Sequence, residues 1–223
     1  ILTLWKVSMI INASYPSVVS LSAIVDGDPH FVVQLPKLHQ NLCFTVDGRA
    51  DDVLRLLEEP ERGIIVDGHL IGAPSKHGVE ERSRTYFDRL TISTGGSGGV
   101  TITISLDTVV VEGEGRDILP ISRQGSVQRQ GVTVAVDDHQ SCWVELARDV
   151  RFLVLFHRYK HPSYLQMAHL GFYITDGRGL SASTQGLLGK NSVAPDSTSS
   201  FYLFDPLFHK RTNIRRYKCV CQI

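Results

Sequence analysis

Cysteine is scarce in this protein of 223 residues: Cys43, Cys142, Cys219 and Cys221 are all it has. Four thiols close at most two bridges, in three connectivities. That is too few to staple a small scaffold that has no core, and the spacing lacks the paired knuckles of a zinc ribbon. Cys219 and Cys221 stand one residue apart, so each bridges more easily elsewhere than to the other. Each of the four is a candidate for a bridge, and a long-range bridge contributes about 2–4 kcal/mol by restricting the unfolded state. Net charge is missing too. Lys+Arg and Asp+Glu both number 23, so no global field steers the protein toward nucleic acid or a membrane. No apolar run approaches the ~20 residues of a spanning helix; residues 1–11 come nearest and are broken by Lys6. A clean signal peptide is absent, and the sequence opens on Ile1 rather than Met, as a piece of a longer protein would. Helical periodicity is lacking as well. Residues 51–59 could make a turn or two of helix, but Val53-Leu54 and Leu56-Leu57 suit a strand equally.

What is present is β-forming. Apolar residues make up 42 %, enough for a sizeable core. Short runs rich in β-branched and aromatic residues predict strands over 31–35, 42–46, 64–66, 85–92, 100–106, 108–111, 132–136, 142–146, 152–156 and 172–175. The alternation Val100-Thr101-Ile102-Thr103-Ile104-Ser105 is that of a half-buried sheet. Val-Asp-Gly recurs at 25–27, 46–48 and 66–68; Asp and Gly tolerate positive φ, so each triplet predicts a reversal after a strand. The expected fold is all-β, mostly antiparallel and sandwich-like, with little helix and irregular tails. Residues 1–23 read as a tail or linker, 24–190 as one β domain, and 191–223 as a polar linker and basic tail. That tail carries Lys210, Arg211, Arg215, Arg216 and Lys218 with no acidic residue after Pro206. It is a candidate polyanion-binding segment, or a solvated terminus.

Several catalytic patterns dissolve on inspection. Gly95-Gly96-Ser97-Gly98-Gly99 fits G-x-S-x-G, but a nucleophile elbow is followed by a helix and a strand is predicted here. Gly177-Arg178-Gly179-Leu180-Ser181-Ala182 has no βαβ unit around it. Asp196-Ser197-Thr198-Ser199-Ser200 lies in low-complexity sequence. His157, His161 and His169 read as polar positions near strand ends rather than metal ligands. No catalytic residue, metal or cofactor is assigned. Asn12-Ala13-Ser14 is a glycan acceptor if the protein is secreted.

One motif carries chemistry. In Gly27-Asp28-Pro29-His30 the Asp28–Pro29 bond is a tertiary amide whose nitrogen leaves well once protonated. The Asp28 carboxylate can attack its own main-chain carbonyl and form a five-membered anhydride. Such intramolecular attack reaches effective molarities of about 10⁵–10⁸ M when aligned. The imidazole of His30 can protonate the departing nitrogen, and Gly27 gives the backbone the freedom the geometry demands. Water, or an alcohol that leaves an ester on Asp28, then opens the anhydride. The plainer reading of the same residues is a turn before a strand.

The surrounding blocks resemble the C-terminal domain of the inter-α-trypsin inhibitor heavy chains. They run from Val25-Asp26-Gly27-Asp28-Pro29-His30-Phe31 through Leu42-Cys43-Phe44-Thr45-Val46-Asp47-Gly48 and Val53-Leu54-Arg55-Leu56-Leu57. Val66-Asp67-Gly68-His69-Leu70-Ile71-Gly72-Ala73-Pro74, Arg84-Thr85-Tyr86-Phe87, His161-Pro162, His169-Leu170-Gly171-Phe172-Tyr173 and Gln185-Gly186-Leu187-Leu188-Gly189 follow in order. The resemblance implies a relative of the von Willebrand factor type D β fold. It implies a secreted, extracellular-matrix, hyaluronan-associated glycoprotein that is not an enzyme, with precursor cleavage at Asp28–Pro29. Chondroitin sulfate would be esterified to Asp28 and exchanged for hyaluronan. A separate Kunitz-type inhibitor, joined through the sugar, is an implied partner; proteinase inhibition belongs to that inhibitor. Nucleic acid and membrane are not expected partners. The likeness stops at Gly189, which predicts a sheet short of edge strands, and Cys142 stands as an extra cysteine. The competing reading is an uncleaved adhesive β module that binds glycosaminoglycan through its basic tail.

Overall fold

A computed structural model describes residues 23–26, 30–35, 40–46, 48–73, 84–95, 98–147, 149–158, 167–189 and 214–217. Among these the regular structure is β throughout, in line with the β-branched and aromatic runs of the sequence. In sequence order the strands are β1 (Ala23–Asp26), β2 (His30–Leu35), β3 (Gln40–Val46), β4 (Val53–Glu59), β5 (Ile64–Gly72), β6 (Thr85–Ser93), β7 (Thr101–Ser105) and β8 (Thr108–Gly113). They continue with β9 (Gly115–Pro120), β10 (Gly125–Arg129), β11 (Val132–Val136), β12 (Ser141–Ala147), β13 (Val150–His157), β14 (His169–Asp176) and β15 (Ile214–Tyr217). One sheet has the order β10-β11-β12-β13-β14-β1-β2-β3-β15, the other β4-β5-β6-β7-β8-β9. Of residues 51–59, Val53–Glu59 form strand: Leu56 and Leu57 both reach the core because the register slips between Arg55 and Leu57.

Alternation explains why the strands lie as they do. β7 and β11 bury every second residue, so each sheet turns an apolar face inward and a polar one out. Phe87, Leu90, Ile92, Ile102 and Ile104 from the smaller sheet merge with Phe31, Val134, Val144, Phe152, Val154 and Phe172 from the larger in one core. β6 packs against β14, and there the Tyr86 ring lies 5.0 Å from that of His169. β9 and β10 escape a reading of the sequence because, at the sheet margins, none of their side chains is fully buried and no apolar alternation is imposed on the sequence. The turn between β10 and β11 is Gln130-Gly131, both at positive φ (49° and 81°), the combination a tight two-residue hairpin demands.

The third Val-Asp-Gly triplet corrects an expectation. Val66-Asp67-Gly68 lies inside β5 and reverses nothing. Gly68 is there for room: a Cβ built on it would stand 2.3 Å from Cε1 of Phe87, whose ring is fully buried. Gly68→Ala should therefore lower stability by about 1–3 kcal/mol, as forced overpacking does. A thermal melt indistinguishable from wild type would show that the ring can yield.

The edge-strand shortage also fails to appear. Residues 185–188 run along the outer side of β4, where Glu58 and Gln185 exchange backbone hydrogen bonds of 2.8 and 3.0 Å. The Leu187 and Leu188 amides donate to the Arg55 and Leu56 carbonyls. Gly186 makes the crossing at φ +93°, with Leu56 backbone 2.9 Å from where its Cβ would sit. On the larger sheet β15 pairs with β3.

Candidate functional site

The Asp28–Pro29 bond belongs to the connection between β1 and β2. These strands pair antiparallel, Asp26 opposite His30, and the joining residues Gly27, Asp28 and Pro29 lie outside the described residues. What frames the connection is well defined. Phe31, the second residue of β2, is fully buried and fixes the strand in the core. His30 therefore falls on the opposite, outer side and is half-buried. Its Nδ1 lies 3.4 Å from Oγ1 of Thr45, the residue opposite it on β3. Position and chemistry meet here: the imidazole belongs to the residue directly after Pro29, within one residue of the nitrogen that would leave.

β1 sits between β14 and β2 and is paired on both sides. A cut at Asp28–Pro29 would divide the polypeptide inside the larger sheet without by itself freeing either part.

The other residues singled out by sequence fare variously. Arg215 and Arg216 lie on β15, opposite Thr45 and Phe44; Lys210, Arg211 and Lys218 fall outside the described residues, as do Asn12, Cys219, Cys221, Ser97, His161 and residues 196–200. Cys43 is on β3 opposite Tyr217 and Val32. Cys142, the extra cysteine, lies on β12. It is a free, fully buried thiol on the inward side of β12; burial, assisted by the charge of Asp137, pushes its pKa up to about 12. It packs as a small hydrophobe. The glycine loop at 95–99 connects β6 to β7, closed by Thr94 and Val100, and is a hairpin rather than an elbow. His157 and His169 face each other across β13 and β14 with rings stacked at 4.5 Å. Among the described residues no group of three His, Cys, Asp or Glu side chains is arranged to hold a metal.

Two polar constellations have no counterpart in the sequence reading. On β6, Asp88 is the extra residue of a bulge opposite His69–Leu70, and its carboxylate lies 2.6 Å from Nδ1 of His69. More consequential is Glu59, at the end of β4 and fully buried. Its carboxylate accepts from the Ser181 amide (2.7 Å), the Ser181 hydroxyl (2.8 Å), the Thr184 hydroxyl and the Glu61 amide (3.0 Å). Burial alone would raise its pKa, but these donors more than offset that and hold it below the ordinary glutamate range. Ser181 and Thr184 stand over a hundred residues away in sequence, so no local signal announces the network.

Comparison with known proteins fits this framework. Residues 61–199, more than half of the sequence, match the family described as the C-terminus of the inter-alpha-trypsin inhibitor heavy chain. The protein belongs to that family. Human inter-alpha-trypsin inhibitor heavy chain H6 is 41 % identical over 179 residues, covering 80 % of this sequence and 14 % of the relative. Mouse heavy chain H3 is 31 % identical over 74 % of this sequence and 19 % of its own length; human H2 is 33 % identical over 77 % and 18 %. The sequence thus spans under a fifth of those relatives. The family match runs on to residue 199, past Gly189, where the block likeness read from the sequence ends.

Proposed function

We propose that this heavy-chain segment is a secreted matrix module that is cut at Asp28–Pro29 and leaves its Asp28 acyl group on a glycosaminoglycan. Hyaluronan and chondroitin sulfate are the acceptors, and a Kunitz-type inhibitor is a partner through the sugar. The observation that supports this most is the setting of the bond: it joins two paired strands, with Phe31 anchored in the core and His30 beside Thr45 at the departing side. In the step itself the Asp28 carboxylate oxygen bonds to its main-chain carbonyl carbon. The C–N bond to Pro29 breaks, and the imidazolium of His30 gives its proton to the nitrogen. A sugar hydroxyl then adds to that carbonyl carbon, the ring C–O bond breaks to release the side-chain carboxylate, and the hydroxyl proton passes to the imidazole. The segment acts on itself and turns over no substrate.

The test is to express the full precursor with a chondroitin-bearing acceptor and sequence the product termini under denaturing conditions, because β1 is paired on both sides and the pieces of a cut protein need to be separated before they are read. Expected products are a piece beginning at Pro29 and a sugar-linked piece ending at Asp28. A bond that stays intact throughout secretion would refute the reading and leave the adhesive module.

A further inference from the structure

Cross-strand register brings Arg215 of β15 into line with His30 and Asp26, which flank the connection holding Asp28 near the other end of the sequence. Asp26 is opposite His30 on β2, His30 is opposite Thr45 on β3, and Thr45 is opposite Arg215 on β15. Directly opposed residues occupy the same side of a sheet. The neighbouring row is Val25, Phe31, Phe44 and Arg216, and buried Phe31 marks that row as the core side. Half-buried His30 and Thr45 mark the first row as the outer side. Arg215 is thus in the outer row, two strands from His30, about 10 Å between Cα atoms at roughly 4.8 Å per strand. Arg216, its neighbour, is at a register position in the other row.

We propose that Arg215, carried by the edge strand β15, is part of a docking position for sulfate or carboxylate groups of the acceptor polysaccharide beside the Asp28–Pro29 connection. The inference rests on reading Asp28 as the ester site and adds what selects sugar over water. An anhydride in water hydrolyses unless an alcohol is already held next to it, so acyl transfer demands a bound acceptor. A guanidinium suits that task, since its fork of donors matches the paired oxygens of sulfate and carboxylate. Edge strands also carry charge simply to discourage pairing with other sheets. That alternative predicts self-association, not altered transfer, when the charge is lost.

The full precursor should be prepared as wild type, Arg215→Ala, Arg215→Lys, Arg216→Ala and Arg123→Ala, the last removing an exposed charge on the turn after β9. Two quantities are read: the ratio of ester to free acid at Asp28 in the presence of chondroitin sulfate, and the salt that elutes each variant from immobilised chondroitin sulfate. Arg215→Ala should lower the ratio about tenfold and elute at lower salt. Arg215→Lys should recover part of both, and Arg123→Ala should match wild type. An Arg215→Ala protein equal to wild type in both, or equal losses in Arg216→Ala or Arg123→Ala, would overturn the proposal. If no variant is cut at all, the Asp28 reading fails, and the elution order still decides the role of Arg215.

Discussion

Replacing Asp28 by Ala should leave the Asp28–Pro29 bond intact, and replacing it by Glu should slow the cut by about a hundredfold. Alanine removes the nucleophile outright. Glutamate keeps the charge but closes a six-membered ring, which costs more ordering of the side chain and misaligns the attack. The pair of variants separates ring chemistry from simple acid lability or outside proteolysis. A proteinase recognising the loop would tolerate Glu far better than this, and cutting of the Ala variant at the wild-type rate would eliminate the anhydride. The measurement is the first-order loss of full-length precursor by denaturing mass spectrometry. Because the bond joins strands of the larger sheet, each variant's folding should be confirmed by its β-sheet circular dichroism.

Removing the Glu59 carboxylate should be the most destabilising of the substitutions considered. Glu59→Ala strips the acceptor from Ser181, Thr184 and Glu61 at once, in a site where Glu59 and Thr184 are wholly buried. Unsatisfied buried groups and a lost charge-assisted network cost about 3–5 kcal/mol. For a protein of this size that lowers the melting temperature by about 10 °C. Glu59→Gln keeps one acceptor and should lose about half as much. The pH dependence has a definite sign. The folded carboxyl has a lowered pKa, so the unfolded state takes up the proton first. Glu59 therefore contributes stability above the ordinary glutamate range near ~4.3, and that contribution fades as pH falls through the folded value. Wild type should show this acid limb in urea melts and Glu59→Gln should show less of it. Parallel pH profiles would mean that folding leaves the pKa of Glu59 unchanged. The loss should begin with the strap over 181–188, since Glu59 ties it to β4 beside the backbone pairing at Gln185.

Much of this architecture is legible in the sequence, for a reason that also limits it. Residues 101–105 and 132–136 announce β7 and β11 because burying one face of a sheet imposes a period of two on the sequence. β15 reads as a basic tail because Ile214-Arg215-Arg216-Tyr217 shows no apolar alternation, and at an edge the backbone can pair without it. Val66-Asp67-Gly68 reads as a turn because Gly reports either torsional freedom or lack of space, and only the position of Phe87 shows that space is the issue.

Composition and local pattern alone established an antiparallel β protein and the blocks that mark its family, and drew attention to Asp28–Pro29 as the bond where cleavage is proposed. Those are properties of neighbours along the sequence. Tertiary structure decided the rest: that Asp28–Pro29 joins strands paired within the larger sheet, that Arg215 enters the row of His30, that Glu59 anchors a strap through Ser181 and Thr184, and that Cys142 is walled into the core. Each depends on register and burial between segments far apart in sequence, and such contacts leave no periodic trace because only folding brings their partners within reach.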